Sequence, residues 1–263
     1  MKLNKNMFGV RRVALGLIGM SIIAATTGSA LAQSAAPRRI AVISLLGTTI
    51  TVVTQASVTG TRLDRNPQDS FTVPNNLFDV AALGAANEAL VKGEPTAVVL
   101  PLKLPSADMF GDSSKLFDSG KFAIPAGLAP TLKQIAATHL LVIARQRAPT
   151  NIKTAREGIG SGSLEGLGYF VNYQMELETV ESSERRVGFL APYTYFRMSM
   201  VDVASGLIDR ESFIARAQTW PTKRKEGYSD PWETLTSVEK ITVLRDLLTD
   251  RVKEAVPALL ATP

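Results

Sequence analysis

Cysteine is absent from the 263 residues of this chain, and only one histidine is present. Without thiols the chain has no structural disulfide, thiolate zinc site, iron–sulfur cluster or cysteine nucleophile. A single imidazole also excludes multi-histidine metal sites. Aromatic residues make up 6%, charged residues 20% and hydrophobic residues 45%, which is typical of a globular protein and not of disorder or a coiled coil. We therefore predict neither a metal nor a cofactor.

The amino-terminal segment has the pattern of a signal peptide. It opens with four cations and no acid: Lys2, Lys5, Arg11 and Arg12. An apolar run, Val13–Ala25, follows, and Ala30 and Ala32 place small residues where signal peptidase cleaves. We predict cleavage after Ala32 and a periplasmic mature protein, exported by the general route or, since Arg11-Arg12 permits it, the twin-arginine route. An uncleaved anchor over Val13–Ala32 is the alternative, because about 20 residues span a bilayer, but its interrupting Thr, Ser and Gly residues favour cleavage.

The basic balance of the full chain comes mainly from this segment. The chain has 29 Lys and Arg residues against 24 Asp and Glu residues, and residues 1–32 hold four of these cations. The mature chain is therefore close to neutral and has no overall positive field that would attract a polyanion. We predict no nucleic-acid partner, and membrane contact that is at most peripheral after cleavage.

The remaining chain is predicted to form one folded domain. After the cleaved signal peptide, 1–32, residues 33–39 are small and polar and predict a flexible leader. Residues 40–263 contain neither an internal repeat nor a clear linker, and we predict that they form a single α/β domain. Its sheet is predicted to be mixed, parallel and antiparallel, with two central helices and a C-terminal amphipathic helix.

The first half of this domain alternates strands and helices. The runs Ile40–Leu46 and Ile50–Thr54 are rich in β-branched residues and predict a buried hairpin. Asn76, with Asp79 three residues later, indicates the capped start of a helix. A strand follows that helix, and the strand–helix–strand order favours parallel pairing. The later elements are predicted as a helix at Leu77–Lys92, a strand at Thr96–Leu104, a helix at Gly127–Thr138 and a strand at His139–Arg147.

The second half is predicted to be mainly antiparallel. Apolar and polar side chains alternate over Tyr169–Glu178, which indicates a strand with one apolar face. The alternation returns at Phe196–Met200 and reaches a turn at Ala204–Gly206, which indicates a second hairpin. Thr236 and Glu239 fit a capping box. The helix that they predict has one apolar stripe: Ile241, Leu244, Leu248, Val252, Ala255 and Leu259.

No catalytic constellation is recognisable in the sequence. Gly111-Asp112-Ser113 lacks the flanking strand and the acid–base partners of a serine hydrolase, so we interpret it as a polar loop. Ser237 and Lys240 have the spacing of a penicillin-recognising motif, but Ser237 lies within the capping box and helical periodicity turns Lys240 to solvent. His139 begins a predicted strand, where a lone histidine is typical of packing or capping. Two carboxylates that are distant in sequence could still form a catalytic pair in the folded protein, and the sequence does not show such pairs. The sequence therefore favours a non-enzyme without excluding an enzyme.

Glycines cluster in residues 158–168, and four of them are candidate ligand-flap residues: Gly158, Gly160, Gly162 and Gly166. Ser163 stands where a dinucleotide fingerprint needs its third glycine, and the lysine of a phosphate-binding loop is missing. We interpret the segment as a hairpin connection. A flap that covers a small ligand is the alternative.

Both tryptophans lie in one short segment, residues 220–232, with a basic run between them. Aromatic rings among cations suit contact with proteins, anionic polymers or lipid headgroups. A solvated surface loop is the alternative. The candidate partner-binding residues are Trp220, Lys223, Arg224, Lys225, Tyr228 and Trp232.

Two stretches resemble a superfamily of envelope proteins. Ala137-Thr138-His139 stands where its members end a helix before an apolar strand, and Val201–Gly206 reads Val-Asp-Val-Ala-Ser-Gly where they have Thr in place of Ser. The superfamily includes CsgG-like curli-secretion proteins, penicillin-binding-protein activators and the amino domain of TolB-like proteins. The resemblance covers residues 128–214 and implies a mixed α/β sheet used for protein–protein contacts, without catalytic residues. The whole chain is similar to exported proteins of Gram-negative bacteria.

These observations predict a non-enzymatic periplasmic protein of the cell envelope, which acts as an accessory or assembly factor through contacts with other envelope proteins. A periplasmic hydrolase or small-ligand binder with a dispersed polar site is one alternative, which a buried polar pocket containing His139 or paired carboxylates would favour. A cell-wall or anionic-lipid binder that uses residues 220–232 is the other, and salt-dependent association with the envelope would favour it.

Overall fold

The computed structural model describes residues 37–56, 66–105, 110–153, 158–160, 162–178, 185–222 and 230–261. These residues form the helices α1 (Leu77–Gly93), α2 (Ala129–Gln134) and α3 (Ser237–Leu260). They also form the strands β1 (Arg39–Leu45), β2 (Thr49–Thr54), β3 (Gln68–Thr72), β4 (Val98–Pro101), β5 (Phe117–Asp118), β6 (Lys121–Phe122), β7 (His139–Arg145), β8 (Arg147–Pro149), β9 (Ile152–Lys153), β10 (Gly158–Ile159), β11 (Ser163–Glu178), β12 (Arg185–Asp202), β13 (Ile208–Ala217) and β14 (Trp220–Pro221). The signal peptide and most of the leader lie outside the described residues, and the domain bounds stay a prediction.

Ten of the strands form one mixed sheet. Its main order is β3-β2-β11-β12-β7-β1-β4, while β13 and β14 also pair with β12, and β8 pairs with β11. β1 runs parallel to β4 and β7, and β2 runs parallel to β11. The pairings of β12 with β7, β11 and β13 are antiparallel. The predicted α/β class with a mixed sheet is thus confirmed. Within the described ranges, no helix is both long enough and apolar enough to cross a bilayer.

β4, the strand that follows α1, has the predicted parallel pairing, and its partner is β1, with Ile40 beside Val99. The predicted hairpin between the first two apolar runs is wrong. β1 and β2 run in the same direction and do not pair with each other, since β1 pairs with β7 and β4 whereas β2 pairs with β11 and β3. Gly47, with a φ of 74°, turns the chain between the two strands. The apolar pattern shows that both runs are buried, but it carries no information on which strand lies beside which.

The long strand β12 is the centre of the sheet. Phe196–Asp202 pairs with β7, and the part of β12 before it pairs with β11 along the same edge, because β13 occupies the opposite edge. β7 ends at Arg145, opposite Phe196, and Gly166 of β11 lies opposite Tyr195. β7 and β11 therefore meet end to end. The predicted hairpin of β12 and β13 is confirmed, with Gly206 in its turn at a φ of 71°.

Helices pack on both faces of the sheet. α1 and α3 cover one face, where Leu141, Phe196 and Met198 are fully buried, and α2 covers part of the other face over Leu140 and Val142. The predicted capping box of α3 is present, and its apolar stripe is buried at Leu244, Leu248, Val252, Ala255 and Leu259. The apolar stripe thus predicts both the existence and the packed face of this helix.

Two helix predictions need correction. α2 covers only Ala129–Gln134 and not Gly127–Thr138, because Ala136 takes a left-handed conformation with a φ of 50°. Asn76 is also left-handed and its side chain makes no capping hydrogen bond to α1. Asp79, which the sequence places in a capping role, is instead buried and bonded to the segment that follows β1.

Lys240 is buried, although the periodicity of α3 predicts that it faces solvent. The turn Pro231–Thr234 folds over the start of α3 and places the Trp232 ring 4.1 Å from the Lys240 ammonium. Lys240 Nζ donates a hydrogen bond to the Leu235 carbonyl at 2.7 Å. A ring face and a carbonyl oxygen thus replace water around this cation.

Candidate functional site

A cleft beside α2, which we call the basal cleft, has a volume of about 580 Å³. This volume is within the roughly 300–1,000 Å³ of ligand pockets. Its walls are mostly apolar and carry small side chains, and Lys133 and Asp202 are its charged residues. The lining residues are Ile124, Ala129, Leu132, Lys133, Ala136, Ala137, Thr138, Asp202, Val203 and Ala204.

Two segments that are distant in sequence meet in the basal cleft. The N–H of Val203 donates to the Thr138 carbonyl at 3.0 Å, and Asp202 lies beside His139 in the ladder of β12 and β7. The stretches that carry the superfamily resemblance are therefore neighbours in space. Asp202 Oδ1 accepts hydrogen bonds from the N–H and the hydroxyl of Ser205, at 2.8 and 2.6 Å. These bonds lower the pKa of Asp202, so it is charged at neutral pH.

His139 lies next to the basal cleft and does not line it. Its Nδ1 is 2.9 Å from Thr138 Oγ1, and its Nε2 is 3.8 Å from Asp209 Oδ2. Burial, followed by the positive charge of Arg38, lowers the pKa of His139. The imidazole is therefore neutral at neutral pH, in agreement with a packed and capping histidine.

A second, more polar cleft lies where β7 ends and β11 begins, and we call it the junction cleft. Its volume is about 170 Å³. β7 runs toward it, and the carboxyl ends of parallel strands are the usual position of ligand sites in open α/β sheets. The lining residues are Thr51, Val53, Gln68, Arg145, Arg147, Ser163, Leu164, Glu165 and Tyr193.

Two glycines of β11 allow the junction cleft to form. A Cβ atom on Gly166 would lie 3.2 Å from Arg145 Cδ, and Gly166 has a left-handed φ of 66°. A Cβ atom on Gly168 would lie only 1.9 Å from the Thr51 carbonyl oxygen and 2.6 Å from the Tyr193 hydroxyl oxygen. The hydroxyl of Tyr193 donates to that carbonyl at 3.2 Å. Glycine at these positions therefore lets both side chains lie close to the β11 backbone.

Asp79 fixes the segment to which Arg145 is bonded. Its Oδ1 accepts hydrogen bonds from the Ser44 hydroxyl at 2.5 Å and from the N–H groups of Leu46 and Gly47 at 3.0 and 3.3 Å. Burial raises the pKa of Asp79, although these bonds and the charge of Arg145 act in the opposite direction. Arg145 Nε donates to the Leu46 carbonyl at 2.5 Å. Asp79 and Arg145 therefore hold the same turn from two sides.

The predicted contact segment is described only in part. Trp220 and Trp232 are half-buried and pack against the apolar core on the α1 and α3 face. Trp232 contacts Tyr169 edge-on at 5.7 Å and stacks with Phe71 at 6.4 Å between ring centroids. Lys223, Arg224, Lys225 and Tyr228 lie outside the described residues. A contact role for this segment stays a prediction, and its two tryptophans also pack the core.

The four candidate flap glycines are not all in one loop. Gly158 begins β10, Gly160 and Gly162 take left-handed conformations, and Gly166 lies inside β11. Residues 163–168, which the sequence predicts as part of a connection, form the start of β11, and Leu164 is buried in the core. The segment does contribute Ser163 and Glu165 to the junction cleft. A flap over a ligand stays a prediction.

Several residues of the junction cleft are missed by sequence reasoning. Arg145 is a cation that ends an apolar run, and Gly168 is a glycine beside an alternating strand. The glycine is a signal that could have been used, since a glycine within a strand often marks a close approach of another backbone. Among the described residues, no group of three or more acidic or histidine side chains is placed to hold a metal ion. Asp112, in the rejected hydrolase motif, caps a short turn by accepting from the N–H of Ser114 at 3.0 Å.

Comparisons with known proteins find only distant structural likeness. No family model matches the chain, and no curated protein is similar to it in sequence. The PelC dodecamer from Paraburkholderia phytofirmans has a TM-score of 0.34 and 12% identity, over 87% of this chain and 91% of that chain. A neuraminyllactose-binding hemagglutinin homolog from Helicobacter pylori has a TM-score of 0.41 and 10% identity, over 87% of each chain. A Xanthomonas campestris protein of the DUF330 family has a TM-score of 0.38 and 8% identity, over 86% of this chain and 88% of that chain.

The resemblance of residues 128–214 to the superfamily of envelope proteins stays a prediction.

Proposed function

We propose that this chain is a non-enzymatic protein of the periplasm that acts as an accessory or assembly factor, and that it binds a segment of a partner envelope protein in the basal cleft. The observation that carries the proposal is the mostly apolar cleft of about 580 Å³ beside α2. The signal-peptide pattern of residues 1–32 supports the location.

The occupant that fits the basal cleft is a short apolar segment of a protein with charged groups near its ends. Small lining side chains such as Ala129 and Ala204 leave room for branched side chains of the partner. Burial of those partner side chains supplies about 25 cal/mol for each Å² of apolar surface. Lys133 contributes a positive charge to the basal cleft and Asp202 a negative charge. Such charges select a partner mainly because they repel partner groups of the same sign.

The absence of cysteine makes a site-specific test simple, since one introduced thiol is the only one in the chain. Ala129→Cys, in α2, and Ala204→Cys, in the turn after β12, place it at two separate positions that line the basal cleft. Ala258→Cys, at an exposed position on α3, is the matched control. A thiol-linked photocrosslinker is activated in intact cells, and the products are identified by mass spectrometry.

We expect the same envelope protein to crosslink from both cleft positions and not from Ala258→Cys. Adding Lys133→Glu to the cleft variants should weaken that product, because it reverses one rim charge. Equal crosslinking from all three positions, or no product from the cleft positions, overturns the proposed binding function. Amino-terminal sequencing of the same preparation tests the location, since export with cleavage after Ala32 gives a chain that begins at Gln33.

The two alternatives differ in their support from the described residues. The small-ligand alternative is compatible with the dispersed polar residues of the junction cleft, although this cleft contains neither His139 nor a pair of carboxylates. The alternative of a cell-wall or anionic-lipid binder depends on Lys223, Arg224 and Lys225, which lie outside the described residues.

A further inference from the structure

From the geometry of the junction cleft we propose that it is a second binding site, independent of the basal cleft, that holds one small anionic group, a carboxylate or a phosphate, against the guanidinium of Arg145. The site is built from four separate parts of the chain: β2 and β3, the end of β7 with β8, the start of β11, and β12.

Arg145 is the group that would bind the anion. Its Nε donates to the Leu46 carbonyl, and among the described residues it makes neither a further hydrogen bond nor an ion pair. Its two terminal nitrogens thus have no partner among the described residues, and Arg145 lines the junction cleft. A planar guanidinium fork matches the two oxygens of a carboxylate or a phosphate, and such bidentate pairs are among the stronger hydrogen bonds in proteins.

The surrounding charges leave Arg145 as the unbalanced cation of the junction cleft. Glu165 lies directly opposite Arg147 in the ladder of β11 and β8, so these two charges offset each other across the strands. The charge of Arg145 affects the pKa of Asp79, but no ion pair joins the two side chains. Asp79 Oδ1 already accepts three hydrogen bonds. An anion therefore adds the missing countercharge.

The size of the junction cleft limits what it can hold. Its volume of about 170 Å³ exceeds the roughly 30 Å³ of one water molecule several times, but is below the roughly 300 Å³ where drug-sized pockets begin. The occupant is thus a small organic acid, an inorganic anion or the anionic end of a longer molecule. Tyr193, which is fully buried, places its hydroxyl at the Thr51 carbonyl and closes one side of the cleft.

The test uses isothermal titration calorimetry of the full chain with inorganic phosphate and with succinate. The variant Arg145→Gln removes the charge and keeps much of the side-chain volume. The control Arg245→Gln removes an exposed arginine of α3, far from the cleft in sequence and on another element. We expect wild type and Arg245→Gln to bind at least one probe, and Arg145→Gln to bind it about tenfold or more weakly, as the loss of a charged hydrogen bond implies.

A second measurement on the unmodified chain guards against misfolding of Arg145→Gln. Phenylglyoxal modifies accessible arginines, and peptide mass spectrometry reads each position separately. Phosphate or succinate should protect Arg145 and leave Arg245 unprotected. Binding of phosphate alone assigns a phosphate group, and binding of succinate alone assigns a carboxylate. The proposal is overturned if neither probe binds, if Arg145→Gln binds as well as wild type, or if Arg145 is not protected.

Discussion

Asp79 and Asp202 make similar hydrogen bonds at opposite ends of the β1–β7 pair, but their pKa values shift in opposite directions. Each uses Oδ1 to accept from a serine hydroxyl and from backbone N–H groups, Asp79 beside the end of β1 and Asp202 in the turn after β12. Asp79 is only 7% exposed, whereas Asp202 is half-buried and its partner Ser205 is exposed. The pKa of Asp79 is raised and that of Asp202 is lowered.

The difference in burial therefore explains why similar hydrogen bonds accompany opposite pKa shifts. Loss of water around Asp79 outweighs three hydrogen bonds, while Asp202 keeps enough water for its bonds to dominate. The same contrast holds for the surroundings of each acid. A Cβ atom added at Gly168, near the junction cleft, would lie 1.9 Å from the Thr51 carbonyl oxygen, whereas one added at Gly206, in the turn after β12, would lie 3.2 Å from the Phe122 carbonyl oxygen.

The largest expected effect comes from adding one methyl group to a glycine at each end. In Gly168→Ala the new Cβ lies 1.9 Å from the Thr51 carbonyl oxygen, so the β2–β11 pairing must move. We expect a loss of about 3 kcal/mol or more in the free energy of unfolding, at the upper end for overpacking. Gly206→Ala meets the Phe122 carbonyl oxygen at 3.2 Å and adds left-handed strain, which costs about 1–2 kcal/mol.

Urea unfolding followed by circular dichroism measures both variants. Gly84→Ala is the control, because nothing lies within 4 Å of its new Cβ in the exposed middle of α1, and the change should stabilise the protein by up to about 1 kcal/mol. If Gly168→Ala loses no more stability than Gly206→Ala, the two ends do not differ in packing as the structure shows.

The next largest effect comes from removing each carboxylate. Asp79→Ala leaves the Ser44 hydroxyl and two N–H groups without their acceptor in a buried position, and we expect a loss of about 3 kcal/mol, since buried unsatisfied donors cost about 1–3 kcal/mol each. Asp202→Ala frees donors that water can reach, so its loss should be about 1 kcal/mol or less. Unfolding by urea at neutral pH gives both values.

Asp79→Asn separates the acceptor from the charge. All three donors bond to Oδ1, which an amide oxygen can replace, so Asp79→Asn should recover most of the stability that Asp79→Ala loses. If the amide is as damaging as alanine, charge and not acceptor geometry holds the turn, and the role given to burial is wrong.

Local patterns predicted the elements of the fold well. The capping box and stripe of α3 and the β12–β13 hairpin follow from short stretches of sequence. The pairing of β2 with β11 joins Thr51 to Gly168, which are far apart in the chain. No local period carries that information, because a strand shows which of its faces is buried and not which strand lies beside it.

The candidate clefts were less predictable, for a related reason. Asp79 fits a capping position so well that the sequence gives no reason to bury it, and only the turn after β1 supplies its donors. Arg145 becomes a cleft residue because β11 begins where β7 ends. The two motif stretches at Thr138 and Asp202 do suggest a shared surface, but their contact depends on the register of β7 and β12. Such sites are products of topology.

The smallest expected effect is on the pH dependence of stability, where the two acids should act in opposite directions. The raised pKa of Asp79 means that the folded protein binds more protons than the unfolded chain between the ordinary value of 3.8 and the folded value. Stability should therefore fall as pH rises through that window. The lowered pKa of Asp202 gives stability that is present above 3.8 and is lost as pH falls through its folded value.

Urea titrations at a series of pH values, on wild type, Asp79→Asn and Asp202→Asn, separate the two effects. The difference between wild type and Asp79→Asn should change only above pH 3.8, with wild type gaining as the solution is acidified. The difference between wild type and Asp202→Asn should change only below pH 3.8, with wild type losing. If both differences change in the same direction, water reaches both carboxylates alike. Asp79 would then be solvated in the folded protein, and the turn that holds Arg145 would be more open than its hydrogen bonds indicate.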